Sequence, residues 1–390
     1  MARFRSALAP LAIALLGFTA VPQPARAAPP KPVPTAQSQS PARTARTSPG
    51  CAPTVAGATP NARLTGLFTD YGNDNNRLDD WTGADGTYSL KLPGGRELWI
   101  FSDTFLGKVE PDGGRPPVVE EGGTTVFLNN TFAVERDGRL STIHGGTPDA
   151  PEAVMPPRDE DHWYWAGDAT PAGGIVEVTY QEYERFGPGA WDWRWHRNVV
   201  ARFSPGRLER PLSVHELPSG NGVSWASGIL RDGGYTYVYG VEDHGSPKYM
   251  HIARVKGDSL LGTWEYRTAG GGWSTNEADS ARIMEGVANE YSVSKVGSGY
   301  VLITHDTTEP LNPTIVAYSA CSPAGPFTGK QHVYTTPETG GNIFTYNAHA
   351  HPEIDGPGLV VSYNVNSFVN TDHYDDVSIY RPRFLDVTFT

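Results

Sequence analysis

WTGADGTYSLKLPGGRELWIFSDT, residues 81–104, holds two β-rich runs joined by the turn Pro93-Gly94-Gly95. Short apolar and aromatic runs bounded by Gly, Pro and Asp read as a hairpin. Asp85 enters the first run and Asp103 leaves the second. Folding about Gly94 and Gly95 brings positions 85 and 103 to within one residue of facing each other, and directly opposed residues carry Cβ atoms about 5 Å apart.

The same plan recurs in YWAGDATPAGGIVEVTYQEYE (164–184), SWASGILRDGGYTYVYGVED (224–243), NEYSVSKVGSGYVLITHDT (289–307) and NAHAHPEIDGPGLVVSYNVNS (347–367). With Asp85, Asp168, Ser227, Glu290 and His351 as equivalent points, the spacings are 83, 59, 63 and 61 residues. Four-stranded propeller blades occupy about 40–50 residues in compact families, so a period near 60 is one blade with longer loops. The first blade carries an insertion. RNVVARFSP, YMHIARVKG and TIVAYSACS supply third strands, and long helical periodicity is absent. The expected fold is an all-β, five-bladed β-propeller, preferred over a pair of sandwiches or a β-helix. The tail YRPRFLDVTFT is expected to close the ring against a strand near Leu64 to Asp70.

Working outward, Arg3 and Arg5 precede an apolar run from Leu8 to Val21, and Ala25-Arg26-Ala27 offers a small-x-small cleavage site. That is a secretory signal over residues 1–27, too short for a membrane span. Residues 28–50, rich in Pro, Ala, Ser and Thr, cannot bury enough apolar surface to order and read as a linker. The folded unit is then one propeller domain over 51–390, secreted and extracellular. Residues 1–50 hold six of the 31 basic and none of the 43 acidic residues, leaving 25 against 43, a formal charge of −18. So acidic a body excludes nucleic acid and anionic membrane as partners. Cys51 and Cys321 either bridge, as an exported chain allows, or stay as two thiols.

Inner strands of a propeller line its central channel, so the equivalent points converge there, with Trp81, Trp165, Trp225, Tyr291 and His349 beside them. Two close carboxylates push each other's pKa values apart, supplying the proton donor and the ionised group that glycoside hydrolysis needs. Asp85 and Asp103 are the candidate catalytic pair. Asp168, Glu242, Glu290, Trp165, Trp225, His349, His351 and Asn364 are candidate substrate-binding or auxiliary residues, with Asn366 a further donor. Other readings stand beside these. A lone Asp before a strand is often a turn cap, and Asp85, Asp103 and Asp168 offer hard oxygen ligands to calcium. Trp191, Trp193 and Trp195 alternate onto one face, either as core or as a platform for sugar rings. The His349-x-His351 pair could bind zinc, but no further ligands are evident. No cofactor or metal is expected, and the partner is a polysaccharide bound by a monomer.

WTGADGTYSLKLPGGRELWIFSDTFLG, LNNTFAVE and HPEIDGPGLVVSYN resemble the secreted actinobacterial family described as domain of unknown function 5005. They also resemble the related domain 4185 group, glycoside hydrolase family 183, endo-acting D-arabinanases on five-bladed propellers. The resemblance spans residues 62–390 and implies Asp85 and Asp103 as the catalytic acids, although this chain has GADG and FSDT where that group has GDG and FGDT. The wider five-bladed set, similar to families 32, 43 and 62, places acids in blades one to three and nominates Asp85, Asp168 and Glu242. The function implied is a secreted glycoside hydrolase on an arabinan-type, furanose-containing polysaccharide, an endo-D-arabinanase. The alternative is a carbohydrate-binding propeller without catalysis.

Overall fold

The computed structural model describes residues 51–390 except Leu78, Ala190 and Trp191. The expected signal peptide and linker, and Trp191, lie outside the described residues. The chain is all-β in its main architecture. Four-stranded antiparallel meanders follow one another: Tyr88–Leu92, Arg96–Phe101, Thr131–Arg136 and Arg139–Ile143 form the first sheet, and His162–Ala172, Ile175–Arg185, Trp193–Phe203 and Ser213–Glu216 the second. Val223–Asp232, Tyr235–Asp243, Lys248–Lys256 and Trp264–Arg267 are the main strands of the third. Ser292–Val296, Gly299–His305, Thr314–Ala320 and Thr328–Thr335 form the fourth. The fifth contains Ile343–His351, Leu359–Ser367 and Pro382–Phe389, completed by Val55–Pro60 from the other end of the chain.

The innermost strand of each sheet touches that of the next, and Ile343–His351 returns to Tyr88–Leu92, so the sheets follow one another around an axis in a propeller-like ring. The apolar core is correspondingly divided into layers between successive sheets. Leu98 and Phe132 meet Tyr164 and Val178 in one, Tyr239 and Ile252 meet Tyr291 and Leu302 in another, and Val301 and Ile303 meet Val361 and Val365 in a third. Alternation of side chains across each strand supplies one apolar row to each layer.

Closure differs from the sequence expectation. The tail does pair, but with Val55–Pro60, through Thr59 opposite Asp386 and Pro60 opposite Leu385. Residues Ala62–Gly72 form a helix instead of a strand. Asn61 caps it by accepting from the Leu64 amide at 2.9 Å, and Leu64 and Phe68, one turn apart, are fully buried. Phe68 seats among Trp81, Trp99 and Phe384, so the helix plugs the seam between fifth and first sheets.

Cys51 and Cys321, 270 positions apart in sequence, form a disulfide with Cα atoms 5.2 Å apart. It ties the first described residue to the turn after Thr314–Ala320. Cys321→Ser is expected to lower unfolding stability by about 2–5 kcal/mol, the usual loss for a bridge whose loop is long; chemical denaturation with unchanged midpoint would refute it.

Candidate active site

The hairpin over residues 81–104 pairs Tyr88 with Ile100 and Leu92 with Arg96. The same register resumes at Ala84 opposite Thr104, and between the two ladders Asp85 faces Ser102 and Asp103. The Asp85 amide donates to the Asp103 carbonyl at 3.1 Å. Gly86 follows in the left-handed region, at φ 63°, and a Cβ there would lie 2.7 Å from Ser102 Oγ, so only glycine lets the chain turn here.

Both carboxylates are buried, Asp85 at 6% and Asp103 at 2% exposure. Asp103 Oδ1 accepts from Trp165 Nε1 at 2.7 Å and Asn129 Nδ2 at 2.9 Å. The Tyr346 hydroxyl donates to Asp85 Oδ2, and Asn366 and His373 extend that chain behind it. Tyr380, held at φ 77°, stands near enough for its hydroxyl to favour the Asp85 anion. A tyrosine in that backbone region is strained, and such strain clusters at functional sites. Burial raises the Asp85 pKa to about 6, against the pull of the two tyrosine hydroxyls. Asp103 is pushed well above the carboxylate range by burial and then by the Asp85 charge.

Two further acids stand at the axis. Asp168 accepts from the Ala169 and Ile229 amides at 2.7 and 2.6 Å, tying the second sheet to the third, and burial raises its pKa to about 7. Glu290 is part-buried and pushed well above its usual range by desolvation and by Asp85, with the Tyr88 phenol beside it. Asp85 Oδ1, Glu290 Oε2 and both ring nitrogens of His349 are buried without a hydrogen-bond partner among the described residues. His349 Nε2 lies 3.9 Å from Asp168, and burial lowers the imidazole pKa to about 3. Two surface hollows, one at Asp232, Tyr235 and Asp258 and the other at Thr65, Glu338 and Arg383, border none of these acids.

Asp85, Asp103, Asp168, Glu290, Trp165 and His349 are therefore brought together. Other expected residues are placed elsewhere. Glu242 is held by Arg282 through contacts of 2.6 and 2.7 Å and by His244 and His251, which draw its pKa far down. Strand alternation explains the miss: the next residue, Asp243, points the other way, to Lys248, within electrostatic reach of Tyr183. Trp225 is fully buried against Trp264 and Tyr266, so it is core and not a funnel wall.

His351 is fully buried, bonded to Ser89 and Ser362. The fifth inner strand shifts register between Tyr346 and His349, as the second does between Ala166 and Ala169 and the third between Ser224 and Gly228. These bulges mark the equivalent level, which puts residues 347–348, not His351, in line with Asp168 and Ser227. Asn364 is buried, donating to Thr87 at 3.1 Å, and Asn366 serves Tyr346; neither reaches open space as a free sugar-hydroxyl donor. Ser227 bonds the Asn289 carbonyl. Trp193 packs on Trp163, Trp165 and Tyr183, an aromatic wall that ends at Asp103.

Linkage makes the buried acids visible in stability. A carboxyl whose folded pKa is raised binds its proton more tightly folded than unfolded, so its contribution is full below about pH 4 and lost as pH rises through the folded value. For Asp168 that window is about pH 4 to 7, worth up to about 4 kcal/mol at 1.36 kcal/mol per pKa unit. Asp168→Asn is expected to remove that slope. Thermal melts at several pH values, compared as variant minus parent, test it; parallel curves would refute it.

A family model described as "Domain of unknown function (DUF5005)" matches residues 68–389. A Bacteroides ovatus protein assigned as a hydrolase superposes with a TM-score of 0.70 at 22% identity, over 85% of this chain and 90% of that one, a likeness of fold. The GH43_1 enzyme of Xanthomonas citri complexed with xylose gives a TM-score of 0.47 at 12% identity, over 82% and 92% of the two chains. Notoamide biosynthesis cluster protein J of an Aspergillus species is 27% identical over 153 residues, 37% of this chain. The match spans 39% of that relative's length.

Proposed function

The chain belongs to the DUF5005 family, whose name assigns no activity, and we propose that it is a secreted glycoside hydrolase acting on a furanose-containing, arabinan-type polysaccharide. One observation carries the proposal: Asp85 and Asp103 face each other across a hairpin at the axis, buried, with their pKa values raised to different extents. In this reading Asp103 holds its proton and delivers it to the glycosidic oxygen. Asp85, whose anion the Tyr346 and Tyr380 hydroxyls favour, acts as the ionised base or nucleophile. Trp165 and Asn129 orient Asp103 through its Oδ1, leaving Oδ2 for the proton. The wall of Trp163, Tyr183 and Trp193 supplies apolar faces of the kind sugar rings stack on.

The finer architecture belongs to the same proposal. The sheets are five blades of one ring-closed domain over residues 51–390, supported by the cyclic contacts of their inner strands. Export is supported by the Cys51–Cys321 disulfide, since such bridges persist in oxidising compartments. The competing reading is a carbohydrate-binding propeller without catalysis. Incubating the protein with arabinan, arabinogalactan and fructan and measuring new reducing ends decides between them. New ends from an arabinan are the expected result; saturable binding with no new ends establishes the binding-only alternative.

A further inference from the structure

A second chemical cluster sits at the end of the second sheet, away from the four axial acids. His162 opens the inner strand, Glu184 is paired directly with it, and His196 lies on the third strand. The register shift at Glu182 and Tyr183, opposite Arg197 and Trp195, makes His196 the extra residue of a bulge. Glu184 Oε2 is 3.7 Å from His162 Nε2 and 3.3 Å from His196 Nδ1, and one ligand atom from each of the three residues lies within 4.8 Å of the others. Ligand atoms bound tetrahedrally at about 2.1 Å stand roughly 3.4 Å apart. The two distances from Glu184 are close to that.

The surroundings orient these atoms. Asp159 Oδ1 accepts from His162 Nδ1 at 2.5 Å, which fixes the tautomer and leaves the lone pair on Nε2. A carboxylate behind a ligating histidine is the usual supporting arrangement. Arg194 Nε takes Glu184 Oε1 at 2.6 Å, leaving Oε2 toward the imidazoles. The opposing group is Arg158, whose Nη2 donates to His162 Nε2. A metal must displace it; Arg158 is 40% exposed, and its Nε also pairs with Glu182 at 3.0 Å, which Arg197 holds from the other side.

We propose that His162, Glu184 and His196 bind a divalent transition-metal ion of the zinc class, with Asp159 behind His162 and Arg158 competing for the same lone pair. Two imidazoles and one carboxylate suit zinc or cobalt over calcium or magnesium. A bound ion would pin three strands together where the Trp163 and Trp193 wall begins.

The test uses full-length protein without a histidine tag, stripped with chelator and titrated with Zn²⁺ by calorimetry and with Co²⁺ by visible absorption. One saturable equivalent and tetrahedral Co²⁺ bands are expected. His162→Ala and His196→Ala should each abolish that step. Asp159→Ala should weaken it about 10–100-fold, and Arg158→Gln should tighten it. Far-UV spectra confirm that each variant is folded, and Glu184→Gln is a conservative second probe. Absence of a saturable equivalent in the parent protein, or its survival in the folded double histidine variant, overturns the proposal.

Discussion

Asp85→Asn is expected to lower polysaccharide hydrolysis by at least about 10³-fold while leaving the fold intact. The side chains are nearly isosteric, and Asn can still accept from Tyr346 and Tyr380 through its carbonyl oxygen. What it cannot do is ionise. Removing a positioned acid–base group typically costs 10²–10⁴-fold, and Asp85 also supplies the charge that holds the Asp103 pKa up. The two effects compound. Reducing-end release at saturating substrate measures the loss, and retention of activity within tenfold of the parent would sink the assignment.

Asp103→Asn is expected to cost about 10²–10⁴-fold on natural polysaccharide and far less on an aryl furanoside, because a phenolate leaves without a proton. Asp85→Asn should show no such rescue. The pH profile separates the pair again. Activity requires ionised Asp85, so kcat/KM falls as pH drops through about 6. On the proposed roles it also requires protonated Asp103, so the rate falls again as pH rises through that residue's raised pKa. The Asp103→Asn variant should lose the alkaline limb and keep the acid one. An unchanged alkaline limb would transfer the acid role elsewhere, and Glu290, also pushed upward, is the next candidate.

The closeness of Asp85 and Asp103 was legible because a Gly-Gly turn counts residues symmetrically from its centre, and the ladder next to the turn, Tyr88–Leu92 with Arg96–Ile100, has no register shift. His351 was misplaced because a bulge adds residues that no local pattern announces. Glu242 was hidden because its ion pair with Arg282 comes from a residue 40 positions along the chain. Trp225 and Asn364 were hidden by packing between sheets, which depends on partners far along the chain. Tyr346 and Tyr380 were missed altogether, and only the second carried a signal, in the Tyr-Arg-Pro run that starts the tail. The three-residue cluster at His162, Glu184 and His196 spans 34 positions and three strands, with no motif spacing. The short helix over Ala62–Gly72 needed its cap to be recognised: Asn61, followed by Leu64 and Phe68.

The strand Val55–Pro60 completes a sheet whose other members are the last to be made. As the chain leaves the ribosome, the strand Val55–Pro60 must wait more than three hundred residues for its partner. Pairings of such long sequence separation form slowly, because the intervening chain must be gathered first. The ring therefore has no complete early intermediate, and losing only the strand Pro382–Phe389 would leave edges open at both ends of the chain. Under the proposed export, late fastening is an advantage: the molecule commits to its shape only once all of it has arrived.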